Sequence, residues 1–189
     1  TGITESNDCY SITGATYGVY ADKSCKEQLA TLTTDNSGST ETVELKAATY
    51  YVKETKAPKG FQLDKNVYTL TVKAGETATL KVSDTPKVTD TLIELFKIDM
   101  ETSKADPQGN ASLEGAEFVW KYYDGYYTKD NLPAEPTRTW TTKTKAEKGS
   151  DNAIHYITRL ADSYKVSGDS FYTQNGTVCL PLGTITVEE

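Results

Sequence analysis

Short runs in which apolar and polar residues alternate recur along the chain, with turn-forming clusters between them. Thr16-Tyr17-Gly18-Val19-Tyr20 is the first such run. Thr34-Asp35-Asn36-Ser37-Gly38 then marks a turn, because Asp, Asn, Ser and Gly bend a backbone at low cost. Thr49-Tyr50-Tyr51-Val52-Lys53-Glu54 is a second strand, stopped by Ala57-Pro58-Lys59-Gly60. Val67 to Val72 is a third, turning through Ala74-Gly75-Glu76. Thr77 to Ser83 is expected to return as its hairpin partner, with Ala78, Leu80 and Val82 on one face. Thr85 to Asp90 reads as a linker, after which Leu92 to Ile98 begins a new strand. A two-residue period punctuated by turns predicts an all-β chain.

A repeat emerges when the two sides of the linker are compared. Ser11-Ile12-Thr13-Gly14-Ala15-Thr16-Tyr17 aligns with Ser112-Leu113-Glu114-Gly115-Ala116-Glu117-Phe118. Thr49 to Glu54 aligns with Thr184-Ile185-Thr186-Val187-Glu188-Glu189. Gly14 and Glu54 stand 40 positions apart and Gly115 and Glu189 stand 74 apart, so the second copy carries 34 extra residues. Asp130 to Pro136 and the charged turn Lys143 to Asn152 are the expected insertion. The reading is two tandem domains, 1–87 and 88–189. The second copy stops at Glu189 without a counterpart of Ala57-Pro58-Lys59-Gly60, and nothing ahead of Gly14 matches Leu92 to Ile98. The expectation is a fragment of a longer multidomain chain, its second domain truncated after Glu189.

Composition supports the β reading and removes several functions. The 189 residues include 30 Thr and 13 Tyr against one His and one Met, and Thr and Tyr fit pleated, half-buried surfaces. A net charge of −7 argues against nucleic acid as a partner. No stretch approaches the run of about 18 apolar residues needed for a membrane helix, and none resembles a signal peptide. His155, alternating with apolar neighbours, reads as a solvent-facing strand residue, and one His without an acidic or Cys cluster predicts no metal site. No cofactor is expected, and nothing forms a triad or phosphate loop for turnover catalysis.

Of the three cysteines, Cys9 and Cys25 are sixteen positions apart. A disulfide there would close a short loop and add roughly 3 kcal/mol. The Thr-rich, acidic, all-β character favours an extracellular setting and hence the bond, the alternative being two thiols in a reducing cytosol. Cys179, between Val178 and Leu180, reads as a small buried hydrophobe.

Two motifs carry a family resemblance. One is Leu113-Glu114-Gly115-Ala116-Glu117-Phe118 after a Lys-bearing strand; the other is Tyr51-Val52-Lys53-Glu54-Thr55-Lys56-Ala57-Pro58-Lys59-Gly60-Phe61-Gln62-Leu63-Asp64. At these residues the chain resembles the Cna protein B-type domains, also called SpaA-like or prealbumin-like, of Gram-positive surface proteins and pilins. The resemblance implies immunoglobulin-like, prealbumin-like β-sandwich domains on the bacterial cell wall, neighbours in one polypeptide. It also implies an intramolecular isopeptide bond, in which a first-strand Lys attacks an Asn or Asp of the last strand with a Glu assisting. Carried over residue by residue, the second domain offers Lys97 and the acid Glu189, its acceptor lying beyond them. The first offers the acid Glu54 and the acceptor Asp84, with no Lys in Thr1 to Asp8. Without the resemblance, Lys97 reads as an edge-strand charge, Glu54 as a surface partner of Lys53 or Lys56, and Asp84 as a turn former.

Two functions follow. One is a structural stalk in a surface adhesin or pilin, held by isopeptide bonds and the disulfide. The other is a binding module that contacts a host glycan or protein through Trp120, Tyr122, Tyr126 and Trp140. Those aromatic residues are equally readable as a hairpin filling its own core.

Overall fold

A computed structural model of the chain describes residues 2–89 and 93–189. The fold is all-β, built from antiparallel ladders, as the alternation predicts. The chain divides into a compact unit Asp8–Lys87 and a second that joins Val88–Glu189 with the residues ahead of Asp8. Among the described residues no helix is long and apolar enough to cross a membrane.

In the Asp8–Lys87 unit, β1 (Thr16–Tyr20), β2 (Gln28–Thr33), β3 (Ala48–Lys56) and β4 (Val67–Val72) form one sheet in the order β2-β1-β3-β4. Alternation sends Tyr17 and Val19 of β1, and Tyr50, Val52 and Glu54 of β3, to one buried face. Leu32, Leu70, Leu80 and Val82 pack against the apolar part of that face. The expected return hairpin at Thr77 to Ser83 does not form. Ala78, Leu80 and Val82 are turned inward as predicted, but the segment joins no ladder. The turn at Lys73–Glu76, closed by the Glu76 amide on the Lys73 carbonyl at 3.2 Å, carries the chain over the sheet's face instead of along β4. Residues 39–46 likewise cross the unit without strand pairing, Leu45 packing on the core.

In the second unit, β5 (Val88–Thr89) is followed by the strand expected at Leu92 to Ile98. Its start lies outside the described residues and its remainder is β6 (Glu94–Lys97). Then come β7 (Glu117–Tyr123), β8 (Arg138–Lys143), β9 (Lys145–Lys148), β10 (Ile154–Arg159), β11 (Lys165–Gly168), β12 (Tyr172–Gln174), β13 (Thr177–Pro181) and β14 (Thr184–Glu188). They pair as β6-β10-β9, β11-β8-β7-β14 and β12-β13-β5. The region expected as a charged turn, Lys143 to Asn152, supplies strand β9 and bends only after it, where the Gly149 amide meets the Ala153 carbonyl at 2.8 Å. The core gathers Trp120, Tyr122, Trp140, Leu160, Tyr172, Cys179 and Leu180. The Trp120 indole N–H donates to Thr142 Oγ1 at 2.7 Å, so burying the ring strands no polar group.

The repeat recurs as matching local geometry. Gly14 and Gly115 both take φ +84°, a left-handed turn that side-chain-bearing residues adopt only under strain, just before the first strand of each copy. Behind each glycine sits a threonine. The Ala15 amide donates to Thr34 Oγ1 and the Ala116 amide to Thr144 Oγ1, both at 2.9 Å. Each hydroxyl then donates at 2.7 Å to the carbonyl that precedes the turn, Ile12 for Thr34 and Leu113 for Thr144. Strand registers agree as well. Gly18 faces Lys53 and Val19 faces Val52, while Val119 faces Glu188 and Trp120 faces Val187. Continuing either register by one residue brings Glu54 and Glu189 to the same place in their copies.

Candidate functional site

Glu54 is the third inward residue of β3, and the register sets Tyr17 of β1 directly opposite it. A carboxylate on the core face of a sheet must find hydrogen-bond donors or give up its charge. Glu54, 1% exposed, accepts from the Asp64 amide, which reaches its Oε2 at 2.6 Å. Its Oε1 is buried without a hydrogen-bond partner, and so is Oδ1 of Asp84. The Asp64 carboxylate is occupied elsewhere, accepting from the Tyr68 hydroxyl at 2.5 Å and the Asn66 amide at 2.9 Å.

Electrostatics ties these groups into one cluster. Burial pushes the Glu54 carboxyl above its ordinary range; the Asp64 amide pulls it back, and the Asp84 and Asp64 charges push it up again. Asp84 is raised by burial first and by Asp64 second. The Tyr17 hydroxyl is raised by burial and then by Asp84, Glu54 and Asp64. Among the described residues no Lys or Arg is ion-paired with Glu54 or Asp84. The arrangement therefore suits a neutral or singly ionised carboxyl pair that can pass a proton and accept hydrogen bonds. Tyr17 and Asp64 belong to this cluster although no sequence feature gave them a role; the register of β1 on β3 brings in Tyr17.

In the second unit Lys97 and Glu189 meet: Lys97 Nζ is 2.5 Å from Glu189 Oε2. The pair is partly open to water, with side chains 27% and 49% exposed. Sequence reasoning thus names two pairs that the fold assembles, Glu54 with Asp84 and Lys97 with Glu189. It joins no described lysine to the first.

Other expected residues fall differently. Trp120 and Trp140 are fully buried and Tyr122 is 1% exposed, so three of the four binding candidates are core, and Tyr126, at 67%, is the exposed one. Their rings interlock. Tyr122 and Tyr172 meet edge to face at 5.4 Å, and Trp140 stacks on Phe171 at 5.7 Å. The expected Cys9–Cys25 disulfide is absent, and the topology explains why. Cys9 lies beside Gly60, next to the Thr16 end of β1. Cys25 lies in the turn that follows Tyr20, where the Ala21 amide bonds Glu27. An extended strand of five residues separates ends that a disulfide would need within about 7 Å. His155, half-buried on β10, has Nε2 3.0 Å from Asp151. Among the described residues no group of His, Cys, Asp and Glu is arranged to hold a metal.

Comparison with known proteins bears on the first unit above all. Residues 4–86 match the family described as SpaA, a prealbumin-like fold domain. Among solved structures the chain is similar to the Bacillus anthracis TIE protein, at 24% identity and a TM-score of 0.45. That match covers 80% of this chain and 29% of the other. No curated protein matches. The stretch carrying Tyr17, Glu54, Asp64 and Asp84 thus lies within the residues that match the SpaA prealbumin-like domain family.

Proposed function

We propose that this chain is a structural stalk segment of a Gram-positive cell-surface adhesin or pilin, displayed on the cell wall and stiffened by amide cross-links between lysine and Asp or Asn side chains. The observation that carries the reading is the pair of buried Glu54 and partly buried Asp84 within the family-matched stretch, each with one buried carboxylate oxygen that has no hydrogen-bond partner. Buried acids of this kind are costly as scaffolding alone and well suited to acyl chemistry. A neutral amine attacks the Asp84 carboxyl carbon while protonated Glu54 gives its proton to the carbonyl oxygen. Glu54 then takes a proton from the new ammonium and hands it to one hydroxyl of the tetrahedral carbon, which leaves as water. The other hydroxyl returns its proton to Glu54 and becomes the amide carbonyl. Fixed proximity inside the domain supplies the rate, and the reaction happens once. Lys97 and Glu189, 2.5 Å apart, are the corresponding amine and acid of the second unit.

A glycan- or protein-binding surface on the aromatic insertion has weaker support, since Trp120, Tyr122 and Trp140 are core residues. The test is peptide mapping of the mature protein released from the cell surface. A peptide pair joined through Asp84 and a lysine, lighter than its parts by one water, is the expected result. Recovery of the Asp84 peptide only in its unmodified mass would sink the cross-link.

A further inference from the structure

The two copies share a frame but not what is built on it. Between β2 and β3 the Asp8–Lys87 copy places no strand, whereas between the equivalent β8 and β14 the other copy places five, β9 to β13. Two of these join β6 in the β6-β10-β9 sheet, whose faces differ in kind. On one face Leu95 packs against the core and Thr158 is fully buried, bonded to Thr142. The other face carries Glu94 and Phe96 of β6, His155, Ile157 and Arg159 of β10, and Glu147 of β9. A recess of about 400 Å³ opens there, rimmed by the turn from Lys148 to Asp151.

The recess combines an aromatic corner with polar groups held in place beforehand. Phe96 is 58% exposed, and its ring meets the His155 ring edge to face at 5.8 Å. Asp151 lies 3.0 Å from His155 Nε2, and Gly149 backs the ring so closely that a Cβ there would come within 2.7 Å of it. Arg159 Nη1 donates to Glu94 at 2.8 Å while its guanidinium lies over the Tyr164 ring, 5.1 Å from the centroid. Its Nη2 is 3.7 Å from Glu147, which also accepts from the buried Tyr164 hydroxyl. A carboxylate offers about four lone-pair sites, so Glu94 and Glu147 keep acceptors to spare.

We infer that this recess binds a neutral sugar ring, with Phe96 as its platform and Glu94, Arg159 and Glu147 as its hydrogen-bond partners. A pyranose presents one face of C–H groups to an aromatic ring, and its hydroxyls both donate to carboxylates and accept from a guanidinium. The volume falls in the range of small-ligand sites. Charge narrows the class: Glu94, Glu147 and Asp151 outnumber Arg159 and Lys148, so an acidic sugar is repelled where a neutral one is not. The site sits on strands that the shared frame does without, and additions to a rigid scaffold are where binding is commonly built. It is separate from the core residues Trp120, Tyr122 and Trp140 and does not depend on the cross-link reading.

The test follows backbone amide signals of the full 189-residue chain by NMR during titration with methyl glycosides of glucose, galactose, mannose and N-acetylglucosamine, and with N-acetylneuraminic acid. The expected result is saturable shifts at Phe96, Gly149 to Asp151 and His155 with at least one neutral glycoside and none with N-acetylneuraminic acid. A dissociation constant of about 1–10 mM is ordinary for one ring. Phe96→Ala weakens binding by roughly 10-fold or more, Phe96→Tyr retains it, and Glu94→Gln weakens it several-fold. Should Phe96→Ala lose the dispersed spectrum of a folded chain, Glu94→Gln decides. No shift with any neutral glycoside overturns the inference, as do shifts that map elsewhere, equal binding of N-acetylneuraminic acid, or binding that neither variant weakens. Tighter binding of Nα-acetyl-arginine amide than of every glycoside also overturns it and assigns the recess to a cationic side chain of a protein partner.

Discussion

Tyr17 and Glu54 stand directly opposite each other across the β1–β3 ladder, a phenol facing a buried carboxyl whose second oxygen has no partner. The consequence is pH-dependent stability. Glu54 is raised above its ordinary value in the folded unit, so it favours folding fully below the unfolded carboxyl value of about 4.3. That contribution is lost as pH rises through the folded value. Asp84 acts in the same direction. Glu54→Gln should therefore raise stability at pH 7 by roughly 1–3 kcal/mol, a few degrees in Tm, with the gain vanishing towards pH 4. Thermal melts of both proteins from pH 4 to 8 check this. A gain that does not change with pH would contradict the assignment.

Lys97→Ala should cost much less. The Lys97–Glu189 pair is partly solvated, so its loss is expected to lower stability by less than about 1 kcal/mol, and less still at high salt. Denaturant titrations at low and high ionic strength read this directly.

Reductant should leave the unfolding transition where it is. With Cys9 and Cys25 near opposite ends of β1, the expected outcome is one intact mass and one Tm in both conditions. A mass lower by a pair of hydrogens without reductant would restore the disulfide.

Thr142→Val should destabilise the second unit although the two side chains have nearly the same shape. Thr142 Oγ1 accepts from the Trp120 indole and from the Thr158 hydroxyl, both at 2.7 Å, and all three residues are fully buried. Removing that acceptor leaves two buried donors unmet, a loss of roughly 1–3 kcal/mol. Chemical denaturation followed by tryptophan fluorescence measures it.

Strand identity was legible wherever period and turn chemistry agreed: Thr16–Tyr20 and Val67–Val72 coincide with their expected bounds, and Glu54 was singled out by its motif. Alternation also foretold which side of Thr77 to Ser83 faces inward. It did not foretell pairing, because side-chain period sets the face while the preceding turn sets the neighbour. The Trp120 and Trp140 rings illustrate the same boundary. Aromatic density between polar residues fits both a core and a binding face, and only the packing of β7 on β8, with Trp120 opposite Trp140, decides for the core. Thr34 and Thr144 escaped notice because a threonine bracket leaves no mark among so many threonines.

Tyr10 and Lys87 stand at the two ends of the Asp8–Lys87 unit, and the Tyr10 hydroxyl donates to the Lys87 carbonyl at 2.5 Å. A segment whose ends meet can be spliced into a surface loop of a host protein without prying that loop apart. It can also be opened at a new site and rejoined across Tyr10 and Lys87. The hydrogen bond between these residues makes the unit portable, a cassette that a longer gene can duplicate, move or insert while the neighbouring fold stays intact.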